Sequence, residues 1–330
     1  MSSDSSSGTL ADLGESGLVA KILALIGESK VANPSLEIAA GDDAAVMGTS
    51  GSSFVFSVDM YAEGKHFRTD WSTAIEIGRR CAAGSIADVC AMGASPVGVL
   101  LAIGLPAVTA SHWVGEFMAG FIQEAENAGS TVLGGDVSGC DSIVISVTAI
   151  GTLDSGTAIR RSGARPGDIV GICGRSGMAA AGLRVLQRGL RSPRVLVDAF
   201  RVPEIDYTAG VRAAKSGATS MIDISDGLVA DLEHVARDSG VGIELETRNI
   251  LVPAELVSTA AAFGADPMAW ILAGGDDHAF VATFPPKKRL PAGFVAIGKV
   301  TQDSIGEVLV DGVLYRDAYE VSPGFQHFSS

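Results

Sequence analysis

Aspartate residues stand beside glycine or inside apolar stretches at several separate places in the chain. Two of them lie in MIDISDGLVADLEHV at residues 221–235, which reads as a strand, a tight turn and a helix. Anions often bind at such a turn, since helix N–H groups point outward there, so two carboxylates in it need an explanation. The whole set is Asp43, Asp59, Asp88, Asp136, Asp223 and Asp226. Mg²⁺ is held by carboxylates together with phosphate oxygens and waters, which predicts several Mg²⁺ ions between these residues and nucleotide phosphates.

Some of these aspartates also have a plainer explanation. Asp226, or Ser225 before it, could cap the N-terminus of the following helix, and Asp42 with Asp43 could form an ordinary turn. Carboxylates at strand ends and turns are nevertheless placed where ligands usually bind in α/β proteins. The sequence therefore favours a shared cation site over a set of unrelated turns.

Asp88 lies inside an otherwise apolar helix, where an unpaired carboxylate would be unfavourable. Arg79 and Arg80 are each about two helical turns away, so an interior ion pair is the alternative to a metal site. Both explanations require that the carboxylate meets a cation.

Basic residues form two short groups that could contact phosphate. EGKHFRTDW sets Lys65, His66 and Arg68 beside the strand that carries Asp59. RRSGARPGD, at residues 160–168, begins with two arginines that could fork onto phosphate oxygens. Ordinary solvated loops are the alternative for both groups.

Established nucleotide and nucleophile motifs do not match. GFVAIGKV resembles a P-loop but has Val300 where Ser or Thr is needed, and GICGRSG lacks the dinucleotide fingerprint. The chain contains neither Gly-x-Ser-x-Gly nor His-Glu-x-x-His. No serine or cysteine lies in a motif that pairs it with a general base, so we assign no covalent nucleophile.

Composition limits the partners. The 330 residues include 24 basic and 38 acidic ones, a net charge of −14, which argues against nucleic acid and anionic membranes as partners. The four cysteines have no zinc spacing and suit a reducing compartment. The polar start MSSDSSSGTL is expected to be a disordered tail over residues 1–12 rather than a signal peptide. We therefore expect a cytoplasmic protein.

Strands and helices alternate along the first half of the chain, which predicts an α/β or α+β fold. SFVFSVDM should place Val55, Ser57 and Asp59 on one face of a strand. An alanine-rich helix is predicted from about residue 72 to residue 92, ended by Gly93. The loop at residues 160–168 is the candidate boundary between two halves.

The motifs GDDAAV, SVDMYAEGKHF, SIADVCAMGASP, LGGDVSG, RRSGARPGD, IDISDGL and AGGDDHAF occur in the order found in thiamine-monophosphate kinases. The chain resembles this family, which shares a superfamily with aminoimidazole ribonucleotide (AIR) synthetase and selenophosphate synthetase, over residues 12–328. The resemblance implies two α/β domains. An N-terminal domain, residues 13–153, would bind ATP and Mg²⁺ and form a homodimer through its sheet, and a C-terminal domain would span residues 154–330.

The resemblance also implies roles for individual residues. The metal ligands would be Asp43, Asp59, Asp88, Asp136, Asp223 and Asp226, with the hydroxyl of Ser57 and the carbonyl of Val58. ATP contacts would come from Gly135, Asp136, Arg160 and Ser225, with Arg161 as the neighbouring possibility. His66 would touch the substrate phosphate, and Asp276 and Phe325 would line the thiamine pocket. Val58, Asp276 and His278 stand where the family usually has Thr, Glu and Tyr.

The implied reaction, the last step of thiamine diphosphate biosynthesis, transfers phosphate from ATP to thiamine monophosphate. The acceptor would be a phosphate oxygen that is already ionised, so no strong general base is needed. A site rich in aspartate and poor in bases fits direct in-line transfer. The alternatives are another ATP-using enzyme of the superfamily, similar to AIR synthetase, or a non-catalytic nucleotide-binding protein on the same scaffold.

Overall fold

The structure, a computed structural model, describes residues 17, 20, 23–24, 35–39, 41–49, 51–154, 157–319 and 324. The tail predicted at residues 1–12 and the predicted pocket residue Phe325 lie outside these residues. The described strands form two mixed sheets, one from each half of the chain, and helices accompany both. The predicted α/β class is thereby confirmed, while the boundary between residues 153 and 154 stays a prediction.

The first sheet combines antiparallel strands with one parallel pair. Its strands are β1 (Leu36–Ile38), β2 (Ala45–Thr49), β3 (Ser52–Ala62), β4 (Ser95–Leu105), β5 (Thr131–Gly139) and β6 (Val144–Leu153). Among the described residues the order across the sheet is β1-β2-β3-β6-β4-β5, and β4 with β5 is the parallel pair. The strand that carries Asp59 therefore lies near the middle of this sheet.

Two helices, α1 (Ala74–Ala91) and α2 (Ser111–Asn127), accompany this sheet. α1 starts with a capping box, in which Thr73 accepts the N–H of Glu76 at 3.3 Å and the Glu76 carboxylate accepts the N–H of Thr73 at 2.7 Å. Gly93, with a φ of +76°, follows its C-terminus. The predicted helix is confirmed to within two residues at each end.

α1 and α2 cross closely because both lack a side chain at the crossing. A β-carbon added at Gly78 would collide with the carbonyl of Phe117, and one at Gly120 would collide with the carbonyl of Ile75. α1 packs over β3, β4 and β6 and α2 over β5, with Phe117, Phe121 and Ile77 fully buried in the core. This packing holds α1 rigidly on the sheet.

The opposite, outer face of the first sheet is partly apolar. It carries the side chains of Phe54, Phe56, Val58, Met60 and Leu100. Val58 and Met60 are each 64% exposed. The face is therefore a candidate surface for association.

The second sheet is built from β7 (Ile169–Cys173), β8 (Ser220–Asp223), β9 (Gly242–Leu245), β10 (Phe280–Phe284), β11 (Phe294–Thr301), β12 (Val308–Val310) and β13 (Val313–Leu314). Its order is β13-β12-β9-β11-β7-β10-β8, and within the described part β9 and β12 form the parallel pair. β8, the strand of the IDISDGL motif, is thus an edge strand.

The second half also supplies α3 (Met178–Gln187), α4 (Arg194–Arg201), α5 (Ala209–Ser216), α6 (Leu228–Ser239), α7 (Ala254–Phe263), α8 (Pro267–Ala273), α9 (Tyr315–Ala318) and a 3₁₀ turn (Thr247–Asn249). α1 reaches across and packs against β8, α4 and α5. One helix of the first half therefore forms much of the junction between the two sheets.

None of the described helices is by itself long and apolar enough to cross a membrane. α7 and α8 meet the length and composition criteria only as a pair bent by 113°.

Candidate functional site

Four aspartates from four separate elements converge at the junction of the two sheets. Asp43 precedes β2, Asp59 lies on β3, Asp88 on α1 and Asp223 at the end of β8. Their charges act on one another: the pKa of Asp88 is raised well above its ordinary value, first by burial and then by the charges of Asp59, Asp223 and Asp43. Ser57 supports the cluster by donating a hydrogen bond to Asp88 at 2.6 Å.

Asp43 and Asp59 respond in the same way. Burial raises the pKa of Asp43 to about 7, with the charge of Arg161 lowering it and that of Asp223 raising it. Burial also raises the pKa of Asp59, against a hydrogen bond from Ser85 that lowers it. We call Asp43, Asp59, Asp88 and Asp223 the carboxylate cluster. Sequence reasoning predicted all four of its members.

The donor set, carboxylates and a hydroxyl, fits Mg²⁺. One buried oxygen of Asp43, Oδ2, has no hydrogen-bond partner among the described residues. As they stand, however, no three His, Cys, Asp or Glu side chains in the described ranges are arranged to hold a metal ion. Mg²⁺ usually takes one or two carboxylates and completes its shell with water and phosphate oxygens, so the cluster suits ions that arrive with a nucleotide.

The loop after β8 is shaped by a residue that the sequence reasoning missed. α6 begins at Leu228 and its N-cap is Gly227, so the interpretation of Asp226 or Ser225 as the cap is wrong. Instead the carboxylate of Asp231 accepts the N–H groups of Asp226 at 3.2 Å and Gly227 at 3.0 Å. An acidic residue in a first helical turn was the available signal.

Arg161, rather than Arg160, meets the carboxylates. Its Nε lies 2.6 Å from Asp43 Oδ1, and its backbone N–H donates to Asp42 at 3.2 Å. Arg160 is exposed, and its carbonyl accepts the N–H of Met221 at 3.1 Å. The structure thus brings Arg161 to the cluster, and the contact of either arginine with the nucleotide stays a prediction.

The predicted ion-pair alternative for Asp88 is wrong. Arg79 pairs with Glu124 at 2.7 Å, and Arg80 pairs with Asp276 at 2.7 Å. Both arginines of α1 are therefore engaged elsewhere.

His278 joins the cluster from the AGGDDHAF segment. Its Nδ1 lies 2.8 Å from Asp223 Oδ2. Burial lowers the pKa of His278, but the hydrogen bond and charge of Asp223 outweigh burial, so the net shift is upward. Gly84 leaves room for the ring: a β-carbon there would lie 2.5 Å from Tyr61 Oη and 3.1 Å from His278 Nε2.

The neighbouring residue, Asp277, has a structural task that the sequence did not reveal. Its carboxylate accepts the N–H groups of Gly177 at 2.6 Å and Ala179 at 2.9 Å at the start of α3, and burial raises its pKa to about 7. Asp276 and His278 on either side have φ angles of +67° and +50°. Asp277 therefore fixes the segment to the start of α3, while its neighbours Asp276 and His278 line the cleft.

A cleft of about 1370 Å³ opens beside the cluster. Its walls include Asp59, Asp88, Ser225, Asp226, Asp276 and His278 together with Lys65, His66, Arg68, Trp71, Phe200 and Trp270. His66 Nδ1 accepts the N–H of Ala62 at 3.0 Å, so the neutral ring carries its proton on Nε2. The cleft combines carboxylates, cations and aromatic rings in one space.

Asp136 and Gly135 are not brought to the cluster within one chain. Leu101 pairs with Gly135 and Ala102 with Asp136, so Asp136 shares the exposed outer face with Met60. Asp59 points to the other face. Three strand spacings, about 14 Å, also separate the strands that carry Asp59 and Asp136. The prediction that all six aspartates converge is not met by a single chain.

Two family models match the chain: AIR synthase related protein, N-terminal domain, over residues 41–153, and the corresponding C-terminal domain over residues 165–311. The thiamine-monophosphate kinase of Mycobacterium tuberculosis is 38% identical over 92% of this chain and 90% of that protein. The Corynebacterium glutamicum enzyme of the same name is 40% identical, over 89% and 88%.

The solved structure of AaThiL complexed with AMPPCP and TMP superposes with a TM-score of 0.86 at 30% identity. The match covers 98% of this chain and 100% of that one. The two-domain AIR synthase-like fold predicted from the motifs is confirmed by these matches.

The repulsion inside the cluster leads to a stability prediction. In metal-free protein at pH 8, we expect Asp88→Asn to raise the free energy of unfolding, because it removes a buried charge that the other carboxylates repel. A gain of about 1 kcal/mol is the usual size for one stabilising substitution. The folded-state pKa of Asp88 lies above its ordinary value of 3.8. As the pH falls, the Asp88 carboxylate is therefore protonated in the folded wild type before it is protonated in the unfolded chain. The stability difference between Asp88→Asn and wild type should shrink accordingly. Urea titrations with a chelator measure it, and exposed Asp141→Asn is the charge-matched control. Equal gains in both variants would contradict the mutual repulsion.

Proposed function

The chain belongs to the thiamine-monophosphate kinase family, and we propose that it transfers the γ-phosphoryl group of ATP to thiamine monophosphate, giving thiamine diphosphate and ADP. The observation that carries the proposal is the carboxylate cluster, two of whose members, Asp59 and Asp88, line a cleft that also holds His66 and the 225–226 turn. The structural relative with AMPPCP and TMP, whose match covers 98% of this chain, supports both substrates. The reaction would be the last step of thiamine diphosphate biosynthesis, and a cytoplasmic location stays a prediction.

Several Mg²⁺ ions would be held by Asp43, Asp59, Asp88, Asp223 and Asp226, with the Ser57 hydroxyl and the Val58 carbonyl. When bound, they would offset the repulsion between the two substrates' phosphate groups. Arg161 would add a cation that already lies among the carboxylates. Ser225 lies on the turn that lines the cleft and would contact the nucleotide.

The chain's own groups favour direct transfer. Burial raises the pKa of the thiols of Cys81, Cys90 and Cys173, so these residues are poor nucleophiles. The acceptor oxygen is ionised and needs no proton removed. His66, whose Nδ1 is occupied by a backbone N–H, would donate from Nε2 to the acceptor's phosphate. Aligning two anions, rather than activating one, is then the main task of the site.

We further propose a homodimer joined through the outer face of the first sheet. The exposed side chains of Val58 and Met60 would be buried against the second copy, and Asp136 lies on the same face. Asp136 and Gly135 would then act at a junction between two copies.

Sedimentation at micromolar concentration should give a dimer, and Met60→Lys should shift it toward monomer. A monomeric wild type would contradict the proposal.

The activity itself is tested by incubating the purified chain with ATP, Mg²⁺ and thiamine monophosphate. We expect thiamine diphosphate and ADP in equal amounts, detected by chromatography. Asp88→Asn should lower kcat/KM by about 100-fold or more, since metal stabilisation of transferring phosphate is worth several kcal/mol. A phosphorylated enzyme found by mass spectrometry, or no diphosphate from wild type, would overturn the proposal.

His66 should affect one substrate more than the other. We expect His66→Ala to raise KM for thiamine monophosphate by about tenfold, the size of one hydrogen bond to a charged group, and to change KM for ATP much less. His66→Gln, which keeps a donor near Nε2, should restore part of the loss. His112→Ala is the control, because His112 is exposed on α2. Equal changes in both KM values would remove the assigned role.

A further inference from the structure

Arg80 is a buried cation that ties three elements together. Its side chain is 5% exposed, and one terminal nitrogen lies 2.7 Å from Asp276 Oδ1. The other donates to the carbonyl of Phe200 at the end of α4, and the guanidinium carbon lies 5.0 Å from the centre of the Phe200 ring. α1, α4 and the AGGDDHAF segment thus meet at one side chain.

Asp276, the partner of Arg80, opens onto the cleft. Its side chain is 46% exposed and its backbone is in the left-handed region, with φ at +67°. The N–H of Asp276 is fixed by the carbonyl of Ser225 at 2.8 Å. With the backbone held on one side and one carboxylate oxygen held by Arg80, the other oxygen has a defined direction toward the cleft.

One face of α1 carries both the residue that holds Asp276 and a member of the carboxylate cluster. Arg80, Gly84 and Asp88 follow at intervals of four residues and therefore form one stripe along the helix. Arg80 holds Asp276, Gly84 leaves room for His278, and Asp88 belongs to the carboxylate cluster. The rise between residues 80 and 88 is about 12 Å. A rigid helix therefore sets the distance between Asp276 and the cluster.

We propose that Arg80 is a positioning residue that aims the Asp276 carboxylate at the positively charged thiazolium ring of the acceptor. This inference rests on the proposed function. Phe200, and Trp71 packed edge-on to it with a centroid distance of 6.1 Å, form an aromatic wall of the same cleft. One face of each ring already carries a guanidinium, Arg80 over Phe200 and Arg68 over Trp71. The attraction for an organic cation therefore comes from the carboxylate of Asp276, and the rings shape the wall beside it. Arg80 acts through Asp276 and does not itself touch the substrate.

The test separates positioning from charge. Arg80→Lys keeps the charge but gives up the planar fork that reaches two partners at once. We expect it to raise the Kd for thiamine monophosphate about tenfold in calorimetry. The Kd for thiazole phosphate, whose ring is uncharged, and the Kd for ATP should change less than twofold. Asp276→Asn should show the same selectivity, and it leaves the buried Arg80 in place if Arg80→Lys fails to fold.

Rescue and controls complete the test. Glu is one methylene longer than Asp and compensates for the shorter reach of Lys, so Arg80→Lys with Asp276→Glu should recover most of the affinity. Arg79→Lys, one residue away and paired with Glu124, should change none of the constants. Wild-type affinity in Arg80→Lys, an equal loss for both phosphates, or no rescue would overturn the inference. If wild type fails to turn over thiamine monophosphate, the proposed function fails instead.

Discussion

Repulsion between buried carboxylates is the constraint on which the rest of this structure depends. Asp43, Asp59, Asp88 and Asp223 come from four elements, and burial with mutual charge raises the pKa of the first three. Such a cluster opposes folding unless cations meet it. Arg161 already supplies one positive charge from the segment between the two sheets. The negative charge that remains would be offset by the proposed Mg²⁺ ions, and the surrounding packing must hold the carboxylates together against their repulsion.

The packing of α1 holds much of the carboxylate cluster in place. Two glycines let it lie close to α2, and its other side meets β8, α4 and α5 of the second half. Because one straight element carries Arg80, Gly84 and Asp88, a shift of the second sheet relative to the first would disturb the whole site at once. The geometry of the cleft is therefore tied to the packing of a single helix, which no local loop could replace.

The sequence predicted the parts of this arrangement that local pattern controls. α1, its terminating glycine and the face of β3 that carries Asp59 follow from periodicity, and the cluster followed from aspartates in unsuitable surroundings. The outward direction of Asp136 depends on strand order and register in the first sheet, which no short motif specifies. The pairing of Arg161 with Asp43 and the pairing of Arg80 with Asp276 depend on contacts between residues more than a hundred positions apart.

Hydrogen bonding separates the structural carboxylates from the candidate ligands. A carboxylate has about four acceptor sites. Asp231 and Asp277 each accept two backbone N–H groups and thereby fix the starts of α6 and α3. Asp88 accepts the Ser57 hydroxyl, and one oxygen of Asp43 has no partner within the described residues. Since buried acceptors require partners, carboxylates that lack backbone donors are those left to bind cations. Two buried aspartates thus anchor turns through backbone hydrogen bonds, and the others keep the free oxygens that the proposed metal binding needs.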